Sequence, residues 1–425
     1  MMAINCKKLC VILTAALACM DGMAQTSPEE LRANPCKAGG VYLAYPVPTE
    51  ALTPAPKGYK PVYISHYGRH GSRYLIGDRD YGWVVDLFND ARQHNALTEK
   101  GKEVCDRLNK LWPEVEHRGG DLSIIGVQQQ QGIAERMYRN YPNVFKAGQK
   151  VSARSTMSLR CAMSMAAFGD RLKTLAPQLD FLYEASDRYM AYLNYHADSS
   201  NVFTHDKTGP WVEEYRKFEE ENIQPDRMMK ALFSDRQYVR KKVNPTNLMW
   251  GFYWIAVDMQ DIPTDLSFFD VFEGDELFNV WQCNNYRFYV CNANHAASKG
   301  IVVDNATHLL RNIIESADEA LSKGDVAATL RFGHDGNVIP LLAILGIENF
   351  NVAVEAPEEV YKAWCDFQAA PMAANVQMVF YKNKSNDVLV KFMHNEREVH
   401  ISMDSDIWPY YRWNDVREYL SKRLK

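Results

Sequence analysis

The most reactive combination of side chains in this 425-residue chain lies at residues 69–73, which read Arg-His-Gly-Ser-Arg. Two guanidinium groups flank an imidazole, and guanidinium forks match the oxygens of a phosphate group bidentately. A neutral imidazole is a nucleophile toward phosphorus at moderate pH, and the glycine lets the backbone approach a ligand closely. These residues predict phosphoryl chemistry, although the same five in isolation are more often a surface turn with two solvated arginines.

A second segment repeats this setting at residues 331–337, which read Arg-Phe-Gly-His-Asp-Gly-Asn. Here His334 is followed by Asp335, so one side chain can bind a phosphoryl oxygen while its neighbour moves a proton. A His-Asp pair alone carries little information. Because both segments combine glycine with histidine directly after a strand-like run, the two together favour one active site.

The elements that must position these residues are two buried strands, predicted at 62–65 and 327–332 from their apolar and β-branched runs. A loop is expected to start at His66, at the carboxyl edge of the sheet, where α/β folds place their chemistry. A further strand is predicted at 151–154. Helical periodicity covers 84–111, 127–138, 158–172, 305–322 and 338–345, with turn residues at 119–123 and with Met163, Ala167 and Phe168 on one face of the third stretch.

Between residues 171 and 299 the sequence becomes helical and rich in aromatic residues, and from residue 301 the alternation of strands and helices resumes. A hairpin is predicted from the strand-like runs 376–381 and 388–393. The predicted fold class is therefore α/β, with a mainly parallel sheet flanked by helices. Residues 25–170 and 300–425 would form this core, and residues 171–299 an inserted, mostly α-helical domain.

The first 24 residues predict a secretory signal peptide, with Lys7 and Lys8, an apolar run and a small-residue cleavage site. The protein is expected to be exported, to the periplasm or the medium. The alternative of a lipid anchor on Cys19 stays open. The apolar run is shorter than the roughly 20 residues that a membrane span needs, and no later run reaches that length.

The net charge of −5 gives no global positive field, so no nucleic-acid partner is expected. Six cysteines lie beyond residue 24. Cys283 and Cys291 either close a hairpin around residues 284–287 or are small buried apolar residues. No cysteine pair has the spacing of a zinc site, and a metal pair formed by His66 and His70 is disfavoured because a strand and Gly68 surround them.

Over residues 60–420 the chain resembles the histidine acid phosphatase family, the branch of the histidine phosphatases that includes phytases and multiple inositol polyphosphate phosphatases. The resemblance rests on residues 69–73, on residues 121–126 leading into a Gln-rich helix, and on His334-Asp335. It rests also on Arg154-Ser155-Thr156 with Arg160 and Phe168, and on residues 395–399.

By this resemblance His70 is the nucleophile and Asp335 the proton donor to the leaving alcohol. Four other side chains would hold the phosphate: Arg69, Arg73, Arg160 and His334. Arg154 competes with Arg160 for the third arginine position, and Asn337 is expected to contact the substrate. No metal or cofactor is expected, since arginines neutralise the phosphate charge.

The resemblance implies an exported phosphomonoesterase that acts on inositol polyphosphates such as phytate. Animal inositol polyphosphate phosphatases of this family usually carry His-Ala-Glu where this chain has His334-Asp335-Gly336, the phytase-like donor. The preferred substrate and the order of phosphate removal stay open for that reason. The alternatives are a broad acid phosphatase, a sugar-phosphate phosphatase of the glucose 1-phosphate type and a catalytically idle phosphate-binding module.

Overall fold

The computed structural model describes residues 26–424. The predicted signal peptide at residues 1–24, with the alternative lipid anchor on Cys19, lies outside the described residues. Within residues 26–424, no helix is both long enough and apolar enough to cross a membrane.

An eight-stranded sheet organises the molecule. Its strands are β1 Lys60–Arg69, β2 Lys150–Ser155, β3 Asp180–Ala185, β4 Val326–Gly333, β5 Asn375–Lys382, β6 Val388–His394, β7 Arg397–Glu398 and β8 Tyr410–Arg412. The order is β3-β2-β4-β1-β5-β6-β7, and β8 pairs with β6. Strands β3, β2, β4 and β1 are parallel, whereas β5 to β8 pair antiparallel.

Helices cover the sheet and fill the long connection between β3 and β4. They are α1 Pro28–Ala33, α2 Asp78–Gln93, α3 Glu99–Val115, α4 Ile124–Asn140, α5 Leu159–Leu175, α6 Met190–Leu193, α7 Asp198–Thr204, α8 Pro210–Asn222, α9 Asp226–Leu232, α10 Arg236–Lys242, α11 Pro245–Asp258, α12 Glu276–Asn292, α13 Thr307–Lys323, α14 Asp335–Leu345, α15 Asp366–Ala369 and α16 Trp413–Lys422. Short 3₁₀ helices lie at Pro35–Tyr42, Asp187–Tyr189, Phe269–Val271, Ala296–Ser298, Val303–Ala306 and Pro357–Lys362.

Strand β1 lies at the centre of the sheet and is buried on both faces. Tyr63 and Tyr67 enter one hydrophobic cluster, while Ile64 enters the cluster on the opposite face, as the two-residue period of a strand requires. The strand is longer than the predicted 62–65. It continues through Arg69 because it pairs with β4 on one side and β5 on the other, so the loop starts at His70 rather than at His66.

The predicted α/β class with a mainly parallel sheet is confirmed, with an antiparallel extension at one side. The segment 171–299 is mostly helical, but its first part belongs to the sheet and to a helix that packs on the sheet. Helix α5 continues to Leu175, and β3 joins the sheet beside β2. Strand β3 was missed because an edge strand with exposed Leu182 and Tyr183 lacks the apolar run of a buried one.

Cys283 and Cys291 lie on the single helix α12, which excludes the hairpin alternative, and Cys283 is buried. All six cysteines of the described residues are free thiols. Two other local predictions are wrong. Met163 is 48% exposed, and the buried face of α5 is formed by Cys161, Met165, Phe168 and Leu172. The stretch 84–111 is interrupted at residues 94–98, between α2 and α3.

Candidate active site

The two sequence motifs meet at the carboxyl ends of β1 and β4. Arg69 pairs with Gly333 in the parallel ladder, and the backbone N–H of His70 donates to the Gly333 carbonyl at 3.0 Å. The rings of His70 and His334 follow directly, with centroids 5.7 Å apart and planes at 71°. The structure therefore brings together the two histidines that the sequence singled out.

The loop after β1 is held against the start of helix α4. A Cβ on Gly71 would lie 2.6 Å from the Cα of Gly126, so no side chain fits there. Gln129 fixes the next residue twice, because its amide oxygen accepts from the Ser72 N–H at 2.8 Å and its amide nitrogen donates to Ser72 Oγ at 2.7 Å. Ser123 caps α4 by accepting from the Gly126 N–H. The motif at residues 121–126 thus positions the loop.

His70 is 2% exposed and has a fixed orientation. Its Nδ1 lies 2.9 Å from the carbonyl oxygen of Gly71, a partner that can only accept, so Nδ1 carries the proton and Nε2 keeps a lone pair. Burial, reinforced by the charges of Arg69, Arg73 and Arg160, holds the pKa of His70 well below its usual range. The imidazole therefore stays neutral in moderately acidic solution.

Three arginines surround this ring, and each keeps at least one buried N–H without a hydrogen-bond partner. Arg69 Nη1 donates to the carbonyls of Val41 and Ala370, and Arg73 donates to Tyr74 O at 2.8 Å and to Tyr42 Oη at 2.9 Å. Part of each guanidinium group is therefore already hydrogen-bonded within the protein. The Nε atoms of Arg69, Arg73 and Arg160 are all buried and unpartnered.

The two candidates for the third arginine differ in their partners. Arg154 is in an ion pair, with Nε 2.9 Å from Glu184 Oε2, and its guanidinium lies over the Tyr189 ring. Arg160 has no ion pair among the described residues and lines the same cavity as His334. Arg160 is therefore the candidate with a guanidinium left to bind a ligand.

On the β4 side, His334 and Asp335 lie at the start of α14. His334 Nε2 is 3.2 Å from Thr156 Oγ1, and burial lowers the pKa of this imidazole to about 4. Asp335 Oδ1 accepts from the Gly336 N–H at 2.8 Å, and its Oδ2 lies 2.9 Å from Arg69 Nη2. Burial raises the pKa of this carboxyl, but the charges of Arg69, His334 and Arg73 together with the Gly336 N–H outweigh burial, and the net pKa is lowered.

A cavity of about 450 Å³ opens beside this second strand end. It is lined by Thr156, Ser158, Arg160, Met190, Asn194, His196, His334, Asp335 and Gly336. Three of these, Met190, Asn194 and His196, were missed by sequence reasoning because they lie in and after the short helix α6, which has no motif of its own. Only the fold brings them to the site.

The predicted residue Asn337 and the disfavoured metal ligand His66 both lie outside the cavity. Asn337 is 1% exposed and does not line the cavity, because the first turn of α14 carries it inward. His66 is buried in β1 between the rings of Phe168 and Phe332, which excludes a metal pair with His70. Among residues 26–424 no group of three or more His, Cys, Asp or Glu side chains is arranged to hold a metal ion.

Comparison with known proteins identifies the class. Residues 68–395 match the model of the histidine phosphatase superfamily (branch 2). This range covers most of the 425 residues, so the chain belongs to that superfamily. The sequence-based prediction of the family and of a phosphatase is confirmed.

Individual relatives are distant in sequence. Multiple inositol polyphosphate phosphatase 1 of Gallus gallus is 22% identical over 392 residues, which cover 86% of this chain and 84% of the relative. The multiple inositol polyphosphate phosphatase of Bifidobacterium longum, solved with inositol hexasulfate, has a TM-score of 0.77 at 17% identity, covering 92% of this chain and 98% of its own. The phytase from D. castellii has a TM-score of 0.69 at 14% identity, covering 92% and 85% respectively. These structures share the fold.

Proposed function

We propose that the protein hydrolyses phosphate monoesters through a phosphohistidine on Nε2 of His70, with inositol polyphosphates such as phytate as substrates. The observation that carries the proposal is the set of three buried, unpartnered Nε–H groups around one neutral imidazole. A buried cationic donor without an acceptor is costly. A phosphoryl group supplies acceptor oxygens for all three.

In the first step the Nε2 lone pair of His70 attacks phosphorus as the bond to the leaving oxygen breaks. Arg69, Arg73 and Arg160 neutralise charge on the equatorial oxygens, which is usually the largest catalytic contribution. His334 lies at van der Waals distance from the attacking ring and provides a further polar contact. Water then cleaves the phosphohistidine and regenerates His70.

Asp335 is the proposed proton donor to the leaving oxygen, and afterwards the base that activates water. Its pKa is lowered in the free protein because Arg69 lies beside it. A bound phosphate dianion shares that guanidinium and adds negative charge near the carboxyl. Both effects raise the pKa of Asp335 when substrate is present, which favours the protonated donor.

The names of the Gallus gallus relative and of the Bifidobacterium longum structure support inositol polyphosphates as the substrate class. The cavity beside Asp335 is also lined by the polar side chains of Asn194 and His196, which suits a leaving group rich in oxygen. The alternative is a broad acid phosphatase or a phosphatase of sugar phosphates. The His-Asp-Gly sequence at residues 334–336 does not discriminate between an inositol polyphosphate phosphatase and these alternatives.

Export is part of the proposal and rests on the sequence of residues 1–24. Sequencing the amino terminus of the protein recovered from cell fractions tests it. A mature terminus near residue 25 outside the cytoplasm is expected, and an uncleaved cytoplasmic chain would contradict it.

The substrate class is tested by measuring phosphate release from phytate, glucose 1-phosphate, a nucleotide and an aryl phosphate at equal concentration. We expect the highest kcat/KM on phytate. Similar values on all four would support the broad acid phosphatase, and a preference for glucose 1-phosphate would support the sugar-phosphate enzyme.

A further inference from the structure

Two buried carboxyl groups lie beneath the loop that carries His70, and the catalytic steps do not use them. Asp258 is the last residue of α11, and Asp261 follows one turn later, with its N–H donating to the Asp258 carbonyl at 2.8 Å. Both side chains are 0% exposed. Carboxyl groups so deeply buried need a specific reason to be there.

Each carboxyl uses one oxygen to hold the loop. Asp261 Oδ1 accepts a hydrogen bond from Ser72 Oγ. Asp258 Oδ2 accepts from the Tyr81 hydroxyl, which in turn accepts from the Leu75 N–H at 2.8 Å. The two carboxyl groups therefore reach residues on both sides of Arg73.

The other oxygen of each carboxyl, Asp258 Oδ1 and Asp261 Oδ2, is buried without a hydrogen-bond partner. Negative charges on two buried carboxyl groups that lie one turn apart repel each other, so a proton is retained. The titratable and charged groups that interact with the pair are Arg69, Arg73, Cys36, Tyr42, Tyr74 and Tyr81.

We propose that Asp258 and Asp261 hold one proton between them and act as a positioning pair, whose single negative charge fixes Arg73 and the loop around it. Burial raises the pKa of Asp258 to about 7, and burial together with the Asp258 charge raises the pKa of Asp261 well above its usual range. Both shifts favour retention of a proton by the pair.

The charge of the pair matters because both carboxyl groups contact the segment that carries Arg73. This part of the inference rests on the proposed role of Arg73 in binding phosphate. A single negative charge holds the Arg73 guanidinium without cancelling the positive field of the three arginines. Two charges would weaken that field where a phosphate dianion must bind. A neutral pair would leave Arg73 held only by Tyr42 and Tyr74.

Infrared difference spectroscopy at pH 7 tests the shared proton without reference to activity. Spectra of Asp258→Asn and Asp261→Asn are each subtracted from that of the unaltered protein. We expect the C=O band of a protonated carboxyl to shift or disappear in both variants, because each variant removes one of the two groups that hold the proton. Asp265→Asn, which removes an exposed carboxyl on the same segment, should leave the band unchanged. An unchanged band in either Asp258→Asn or Asp261→Asn would overturn the shared proton.

Kinetics test the positioning role. The double variant Asp258→Asn, Asp261→Asn should lower kcat on an aryl phosphate by about ten-fold or more, with KM changed less than about two-fold, as expected for a displaced catalytic loop. Each single variant retains one negative charge and should lose less than about three-fold. A folded double variant with unaltered kcat would refute the role.

If the double variant does not fold, Ser72→Ala breaks the same contact from the loop side. Its kcat should fall, and combining it with Asp261→Leu, which has no acceptor oxygen, should lower kcat little further because both changes remove the same hydrogen bond. Independent, multiplying losses would overturn the proposed contact. Since the infrared band does not depend on turnover, failure of the phosphohistidine mechanism and failure of the acidic pair are distinguishable.

Discussion

The two strand ends that form the site differ in how firmly the protein holds them. After β1, Arg69, His70 and Arg73 are 0%, 2% and 5% exposed, and backbone carbonyls, Gln129 and Tyr42 fix the loop. After β4, the side chain of Asp335 is 25% exposed and lies on the wall of the cavity with His334. One side is rigid and closed, whereas the other is open.

This difference matches the chemistry of the two sides. The transferred phosphoryl group is the same for every ester, so the groups that receive it can be fixed once and pre-organised. The leaving alcohol differs between substrates, and in the proposed mechanism it departs toward Asp335 and the cavity. We infer that changes after β1 affect all substrates alike, whereas changes after β4 affect substrates according to their leaving group.

The largest effect should come from His70→Ala. Loss of the nucleophile should lower kcat by roughly 10⁴- to 10⁶-fold on every substrate, as for nucleophiles in other hydrolases. Turnover of labelled substrate by the unaltered protein, quenched with alkaline denaturant, should trap phosphate on His70. His117→Ala, which removes an exposed histidine, is the matched control. Phosphate found on a serine or aspartate would contradict the mechanism, and the two strand ends could then no longer be assigned different roles.

The second prediction separates the two strand ends. Asp335→Asn should lower kcat by about 10²- to 10⁴-fold on phytate, because an inositol alkoxide leaves poorly without a proton. On nitrophenyl phosphate the loss should be ten-fold or less, since nitrophenolate departs unaided. The measurement is kcat of the variant and of the unaltered protein on both substrates.

Arg160→Ala is the control for that experiment. It should slow both substrates by similar factors, because equatorial charge is neutralised whatever group leaves. If Asp335→Asn is impaired equally on both substrates, Asp335 positions Arg69 or His334 and the proton donor lies elsewhere.

The sequence was informative where short-range pattern determines structure. A β-branched run ahead of Arg-His-Gly at residues 69–71 predicted both a strand and a loop, although the strand continues through Arg69. Residues 121–126 were recognised through the family resemblance. The side of the site that carries His70 was therefore predictable before any tertiary contact was known.

Tertiary packing decided the rest. The partners of Arg69 at Val41 and Ala370 are distant in sequence and contribute backbone carbonyls, which no residue type reveals. Met190, Asn194 and His196 reach the cavity only because β3 joins the sheet. In α12, residues 284–287 have turn-forming types, but burial of the helix overrides that local preference.

The smallest effect concerns stability in acid, and it also distinguishes the two strand ends. Burial lowers the pKa of His66 in β1 to about 3 and that of His334 after β4 to about 4, both from 6.5. A histidine whose pKa is lowered on folding binds its proton more readily in the unfolded chain. Stability from both groups is therefore present above pH 6.5 and is lost as the pH falls toward 4.

A bound anion should oppose this loss at His334 but not at His66. Phosphate lies beside His334 in the proposed complex and favours its protonated form, whereas His66 is enclosed by Phe168 and Phe332. Denaturant unfolding at pH 7 and pH 4.5 should therefore show that His66→Leu recovers up to about 2–3 kcal/mol at pH 4.5, at 1.36 kcal/mol per pKa unit, and changes little at pH 7. Saturating inorganic phosphate should raise the stability of both proteins at pH 4.5 by a similar amount, since it acts at the other strand end. If phosphate abolishes the difference in unfolding free energy between His66→Leu and the unaltered protein, the two strand ends are coupled. The distinction between a closed end after β1 and an open end after β4 would then be wrong.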